Sequence, residues 1–181
     1  MLPPGHIAAG YLVAHTLLSV THPPLSVTDQ NYLTYWGMFF SFAPDLDTFV
    51  VFKKIGRFTS SDEVNHRKFY SHAPILWLVA GVGIFLMALA VHNVFLEYFG
   101  VLLWLGSWTH FVLDTIQHGV MWLWPWNNKI FALRSPEIKS NVTEKRFIPY
   151  WMKSLRFYAT EMTLSLSIEI VIIGAALYIW L

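Results

Sequence analysis

Apolar residues along this chain gather into five runs, each long enough to read as a membrane-crossing helix at about 20 residues per crossing. The first extends from about His6 to Val20, inside a stretch from Met1 to Thr28 that has no Asp, Glu, Lys or Arg. The second, about Tyr32 to Phe52, is interrupted by Ala43-Pro44-Asp45-Leu46-Asp47. The third, about His72 to Val91, begins the cleanest uncharged run, Ser71 to Leu96. The fourth covers about Tyr98 to His118 and contains Asp114; the fifth, about Phe157 to Leu181, contains Glu161 and Glu169. The pattern predicts an all-α fold, a polytopic membrane helical bundle of about five transmembrane helices. No internal repeat or low-complexity segment divides the chain, so residues 1–181 are expected to form a single integral membrane domain. Its one long connection, about 124–157, mixes Pro, Asn, Ser and charges, and is expected to be a cytoplasmic loop with short local structure. The first run lacks the basic flank and small-residue cleavage site of a removed signal peptide.

Composition supports the bilayer. Hydrophobic residues make up 55% and charged residues 13% of the chain, with a mean hydropathy of +0.47, where soluble domains are near a quarter charged. So few charges could not cover a soluble surface, and the same apolar excess excludes disorder. A net charge of +1 excludes the concentrated basic surface of a nucleic-acid binder. The absence of Cys removes thiolate metal sites and cysteine nucleophiles together.

The distribution of charge sets an orientation. All twelve Lys and Arg lie in two connections, Lys53, Lys54, Arg57, Arg67 and Lys68 after the second run, and Lys129, Arg134, Lys139, Lys145, Arg146, Lys153 and Arg156 after the fourth. Five alternating crossings put both connections on one side, which the positive-inside rule makes cytoplasmic. The N-terminus is then inside, and the protein is expected to be multi-pass in a plasma or inner membrane, with lipid as its partner. Trp36, Trp77, Trp122, Trp124, Trp126, Trp151 and Trp180 lie near the ends of runs, as an interfacial aromatic belt does.

That topology also sorts the polar residues. His15, His22 and His92 fall on the outer side. His6, His66, His72, His110 and His118 fall toward the cytoplasmic end, with Asp45, Asp47 and Asp114. His110, Asp114 and His118 are spaced four and four, so on a continuous helix they share a face, as metal ligands or as a stripe bonding a neighbouring helix. Ionisable groups in a membrane are costly and mark function. Pro44 breaks the second run ahead of Asp45 and Asp47, and on a continued helix those two carboxylates would diverge by roughly 200°. One of them is then a ligand, while the other orients a His, acts as a general base or caps the next helix. His66 to His72 is expected to form a turn entering the third run. There Arg67 suits bidentate contact with an anionic oxygen. His15 lies about 180° round the helix from His6, and depth selects His6. Glu169, mid-way along the fifth run, is expected to be protonated or hydrogen-bonded inside the bundle with a structural role.

In order, Gly5-His6, Pro44-Asp45-Leu46-Asp47, His66-Arg67 with His72-Ala73, His110-x-x-x-Asp114 and Leu123-Trp124-Pro125 resemble the YdjM-like family of membrane-bound metal-dependent hydrolases. The resemblance covers roughly residues 5 to 135. More distantly, the His and Asp order is similar to that of the zinc-dependent phospholipases C, which implies His6, Asp45, His66, His110 and Asp114 as ligands of a multinuclear site. Two positions depart from the family pattern: Ala73, where a Ser usually follows the second His, and His118, where a Thr-rich turn is expected. The candidate metal ligands are therefore His6, Asp45, His66, His72, His110 and Asp114, and the candidate catalytic residues Asp47 and Arg67. Imidazole and carboxylate without thiolate suit Zn²⁺ first, with Mn²⁺ or Fe²⁺ as alternatives, and so many ligands suit one or two ions. The function expected is hydrolysis at the cytoplasmic interface, on a lipid or lipid-linked phosphoester. The alternative is a transporter or metal-ion permeation protein using the same cluster, with Glu169 and His15 extending the path outward.

Overall fold

The protein is described by a computed structural model over residues 2–56, 66–134, 147–161 and 163–181. Its elements are α1 (Pro3–Thr21), α2 (Val27–Phe42), a 3-10 segment (Ala43–Asp47), α3 (Thr48–Ile55), two 3-10 turns (His66–Lys68 and Tyr70–His72), α4 (Pro74–Ala90), α5 (Val94–Thr115), α6 (Phe147–Glu161) and α7 (Thr163–Trp180). Among the described residues the only extended pairing is an isolated bridge between Val120 and Phe131.

Local chemistry sets the helix boundaries. Prolines occupy the first turns of α1 and α4, where a missing N–H costs nothing. Ser26 caps α2: its Oγ accepts from the Asp29 N–H at 3.1 Å while its hydroxyl donates to Asp29 Oδ2. Asn93 caps α5 through the Leu96 N–H at 3.1 Å. At Pro44 the second run leaves the α-helical path and tightens into the 3-10 segment before α3 resumes, so the predicted break is a change of helix type. The predicted fifth run is divided between α6 and α7. α6 begins inside the stretch expected to be a loop, because its charges suggested exposure whereas its apolar residues follow helical spacing. Ile148, Met152 and Leu155 are exposed and Tyr158 is buried.

α1, α2 and α5 pack on one another, and α4 packs on α5. Backbones approach closely where α1 crosses α2. A Cβ at Gly10 would run into the Gly37 carbonyl oxygen and lie 2.7 Å from Ser41 Cβ, a small-residue crossing of the kind that holds helices together in lipid. Farther along the same helices, Ala14, Leu18, Leu33, Phe40 and Leu102 form a buried apolar core. Outside it, Val79, Leu86, Met87, Val171 and Leu177 are large apolar side chains more than half exposed. Among the described residues, no helix is long and apolar enough to cross a membrane.

Candidate metal centre

At the end of the bundle opposite the apolar core, α1, α2, α5 and the turn before α4 converge on a set of buried polar side chains. Asp45 comes from the 3-10 segment, His72 from the turn entering α4, and His110 and Asp114 from the last two turns of α5. One ligand-type atom from each of these four lies within 4.8 Å of those of the others. His72 and His110 are fully buried and Asp114 is 1% exposed. Asp45 Oδ1 lies 3.5 Å from His72 Nε2 and 3.6 Å from His110 Nε2. Asp114 Oδ2 lies 3.8 Å from His110 Nε2, and its Oδ1 lies 3.4 Å from Nε2 of His6. The His6 ring stacks on His110 with centroids 4.0 Å apart.

Two hydrogen bonds orient the imidazoles. Nδ1 of His110 lies 3.0 Å from the Ser41 carbonyl oxygen. A carbonyl only accepts, so Nδ1 carries the hydrogen and Nε2 turns its lone pair toward Asp45 and Asp114. Nδ1 of His72 lies 2.9 Å from Asp47 Oδ2, which also accepts from the Ser71 hydroxyl. Here too the acceptor leaves Nε2 facing Asp45. Asp47 stands at the N-cap position of α3 but makes no capping bond; its carboxylate is turned to Ser71 and His72 instead. The two carboxylates that diverge in the sequence reading thus occupy different places, Asp45 among the imidazole Nε2 atoms and Asp47 behind His72.

The donor set fits a divalent cation. Nε2 of His110 and both ring nitrogens of His6 are buried and make no hydrogen bond to any described residue, an arrangement that is costly unless something else satisfies it. Mixed imidazole and carboxylate atoms at this spacing could satisfy it by binding a metal ion. Arg67 stands at the edge, with Nε 3.7 Å from Asp114 Oδ2 and 21% of its side chain exposed.

The structure therefore brings together Asp45, His72, His110, Asp114 and His6, with Asp47 behind one imidazole and Arg67 beside one carboxylate. His66 begins the first 3-10 turn, and its side chain lies outside the described residues. His118 lies past the end of α5 at Thr115, where the chain turns with the His118 and Gly119 N–H groups both on the Asp114 carbonyl at 2.8 Å, and its side chain stays within electrostatic reach of Asp114, Asp45 and Arg67. Gly119, at φ +86°, takes the left-handed conformation that lets the turn close. His22 and His92 adopt positive φ at the ends of α1 and α4, and His15 packs near Tyr11 on α1, nine residues from His6. Ser41 carries no signal in the sequence, since it contributes a backbone carbonyl. Glu169 is signalled only as a carboxylate in an apolar run; it is buried and bonded to the N-terminal turn of α1.

Comparison with known proteins gives one match: the model of the YdjM inner membrane protein family covers residues 1–181. No curated protein and no solved structure matches the chain.

Proposed function

This chain belongs to the YdjM inner membrane protein family, and we propose that it is a metal-dependent hydrolase acting at the cytoplasmic face of that membrane. The observation that carries this reading is the pair of buried Nε2 atoms of His6 and His110, which face Asp114 and Asp45 and make no hydrogen bond to a described residue. Asp45, His72, His110 and Asp114, with His6 and His66, would hold one or two divalent ions, Zn²⁺ first and Mn²⁺ or Fe²⁺ as alternatives. When bound, such an ion supplies Lewis-acid polarisation of a substrate oxygen and a nucleophile at neutral pH.

The chain's own residues do the rest. Asp47 and the Ser41 carbonyl each hold an Nδ1 hydrogen, so that His72 and His110 present Nε2 at a fixed angle, the outer-partner arrangement of many metal sites. With Oδ2 shared by Ser71 and His72, Asp47 serves orientation better than proton transfer. Arg67 brings a planar cation to the rim, matched to paired oxygens of a phosphoester. Beside the segment that carries Arg67 and His72, a cavity of about 530 Å³ is lined by Lys68, Phe69, Tyr70, Met121, Trp124 and Asn128. One ammonium, one amide and aromatic walls in that volume suit the phosphorylated head group of a lipid or lipid-linked substrate.

The same reading has α1, α2, α4, α5 and α7 crossing the bilayer together, N-terminus inside. The confinement of Lys and Arg to two connections supports it, as do the large apolar side chains that face outward. No one of these helices is long and apolar enough to cross by itself; α2 and α4, with 16 and 17 residues, rise only about 24 to 26 Å, so this reading has the bundle cross together with the bilayer thinned around it.

Metal analysis of purified protein after dialysis tests the proposal, paired with hydrolysis of a lipid phosphoester. One or two retained ions per chain and metal-dependent turnover are expected. Weak, exchangeable binding without turnover would favour ion permeation, and no binding at all would end the metal-centre reading.

A further inference from the structure

The donor residues come from α1, α5 and the segments around Asp45 and His72, yet α7 holds both α1 and the turn that follows α5. Near its start, Ser165 donates to Gln117 Oε1 through its N–H at 3.0 Å and through its hydroxyl. Gln117 lies three residues beyond Asp114. One turn farther along α7, Glu169 is 3% exposed and accepts from the first turn of α1, Oε1 from the Gly5 N–H at 3.0 Å and Oε2 from the Leu2 N–H at 3.3 Å. The Gly5 N–H also donates to the Leu2 carbonyl at 3.1 Å, so Glu169 shares the amides of this first turn, where a carboxylate is favoured by the helix dipole. The contact has no slack. A Cβ at position 5 would lie 2.6 Å from Glu169 Cγ and 2.8 Å from Oε1, so a larger residue there would push the Glu169 side chain aside.

Gly5 immediately precedes His6, and His6 is the donor that needs a hold of this kind. His72 and His110 are oriented by their own Nδ1 bonds to Asp47 and the Ser41 carbonyl. Neither ring nitrogen of His6 makes a hydrogen bond to a described residue; the ring rests on the face of His110. Beside that stack and the 3.4 Å approach of Nε2 to Asp114, its place depends on the backbone of the first turn, which Glu169 holds at Gly5.

We infer that Glu169 is a positioning residue for the metal centre, which acts through the first turn of α1 to keep His6 Nε2 against Asp114. The inference rests on the reading of the cluster as a metal centre. It makes the C-terminal helix part of the assembly of a site to which it gives no ligand.

A double-mutant cycle on the full chain tests it, with Zn²⁺ affinity measured by chelator competition for wild type, Glu169→Ala, His6→Ala and the double variant. Each single variant should bind Zn²⁺ about tenfold or more weakly. The double variant should match His6→Ala within about twofold, because the hold then has nothing to position. Independent, multiplying losses would overturn the inference. Should Glu169→Ala not fold, Gly5→Ala displaces the same carboxylate and carries the cycle. Glu169→Gln, which keeps an oxygen for the Gly5 N–H, should recover most of the affinity. A second readout needs no metal: in the metal-free protein with labelled histidine, Glu169→Ala should shift the ring resonances of His6 and leave those of His72 in place. An unmoved His6 signal would also overturn the inference. If wild type binds no Zn²⁺ while the His6 signal still moves, the metal centre fails and the hold on His6 stands.

Discussion

The same three helices build two ends that are equally buried and held together differently. α1 supplies His6 at one end and Ala14 and Leu18 at the other; α2 supplies the Ser41 carbonyl and Leu33; α5 supplies His110 with Asp114, and Leu102. Leu33, Leu102, His72 and His110 are all fully inaccessible. At the apolar end burial is its own reward, and contact is non-directional, so a side chain can shift and still pack. At the polar end each buried nitrogen needs a particular partner at a particular angle, and a displaced atom leaves a polar group unsatisfied. Burial alone thus does not distinguish the ends. The hydrogen bonds behind the imidazoles do.

The contrast can be broken at its strongest point first. His110→Ala removes a donor and strands the Ser41 carbonyl. Bound metal should fall below the stoichiometry of wild type and metal-dependent hydrolysis should be lost, while helical circular dichroism remains. Retained metal in a folded His110→Ala protein would take α5 out of the site. Asp47→Ala should have the next largest effect, because it leaves every proposed ligand in place and releases only His72 Nδ1. A loss of roughly 10- to 100-fold in metal affinity is expected, as for other outer partners of ligating histidines. An unchanged affinity would show that packing alone orients His72.

At the other end, Leu102→Ala should cost about 2–5 kcal/mol of stability, the range for large-to-small changes in a core, measured by thermal unfolding in detergent. Metal stoichiometry of the folded fraction should stay at the wild-type value. Metal loss there would mean that the ends are mechanically coupled and the comparison is too sharp. The smallest expected effect on metal belongs to Arg67→Ala, which should keep its ions and lose turnover of an anionic substrate. Arg67→Lys should recover only part of it, since an ammonium lacks the planar fork. Full activity in Arg67→Ala would return Arg67 to the role of a topology-setting charge.

Much of this site is legible because regular helices convert spacing into geometry. Residues four apart share a face, so His110 and Asp114 can be paired from their positions alone. Pro44 marks a change in the helical path because it acts on its own few residues. The apolar runs and the confinement of Lys and Arg to two connections bring His6, Asp45, His72 and Asp114 to one end. Local spacing fails where local order stops. His118 lies beyond the end of α5 at Thr115, so its place near Asp114 and Arg67 is set by the turn and not by helical spacing. The charges of α6 hide a helix whose apolar spacing is visible only once its length is known.

What the sequence determines by itself is which residue types are available, on which helix face, and near which end of the bundle. Those follow from rules that act over one or two turns. Which carboxylate faces the imidazole Nε2 atoms and which stands behind His72 depends on how the 3-10 segment, the turn before α4 and α5 meet, to within an ångström. That Ser41 lends a carbonyl, and that Glu169 reaches Gly5 from the far end of the chain, depends on the same meeting. Hydrogen bonds lose their energy over such small displacements and angles, whereas apolar patterning tolerates them. The tertiary structure therefore decided the partners of Asp45, Asp47 and Glu169, although their presence in the chain was written in the order of the residues.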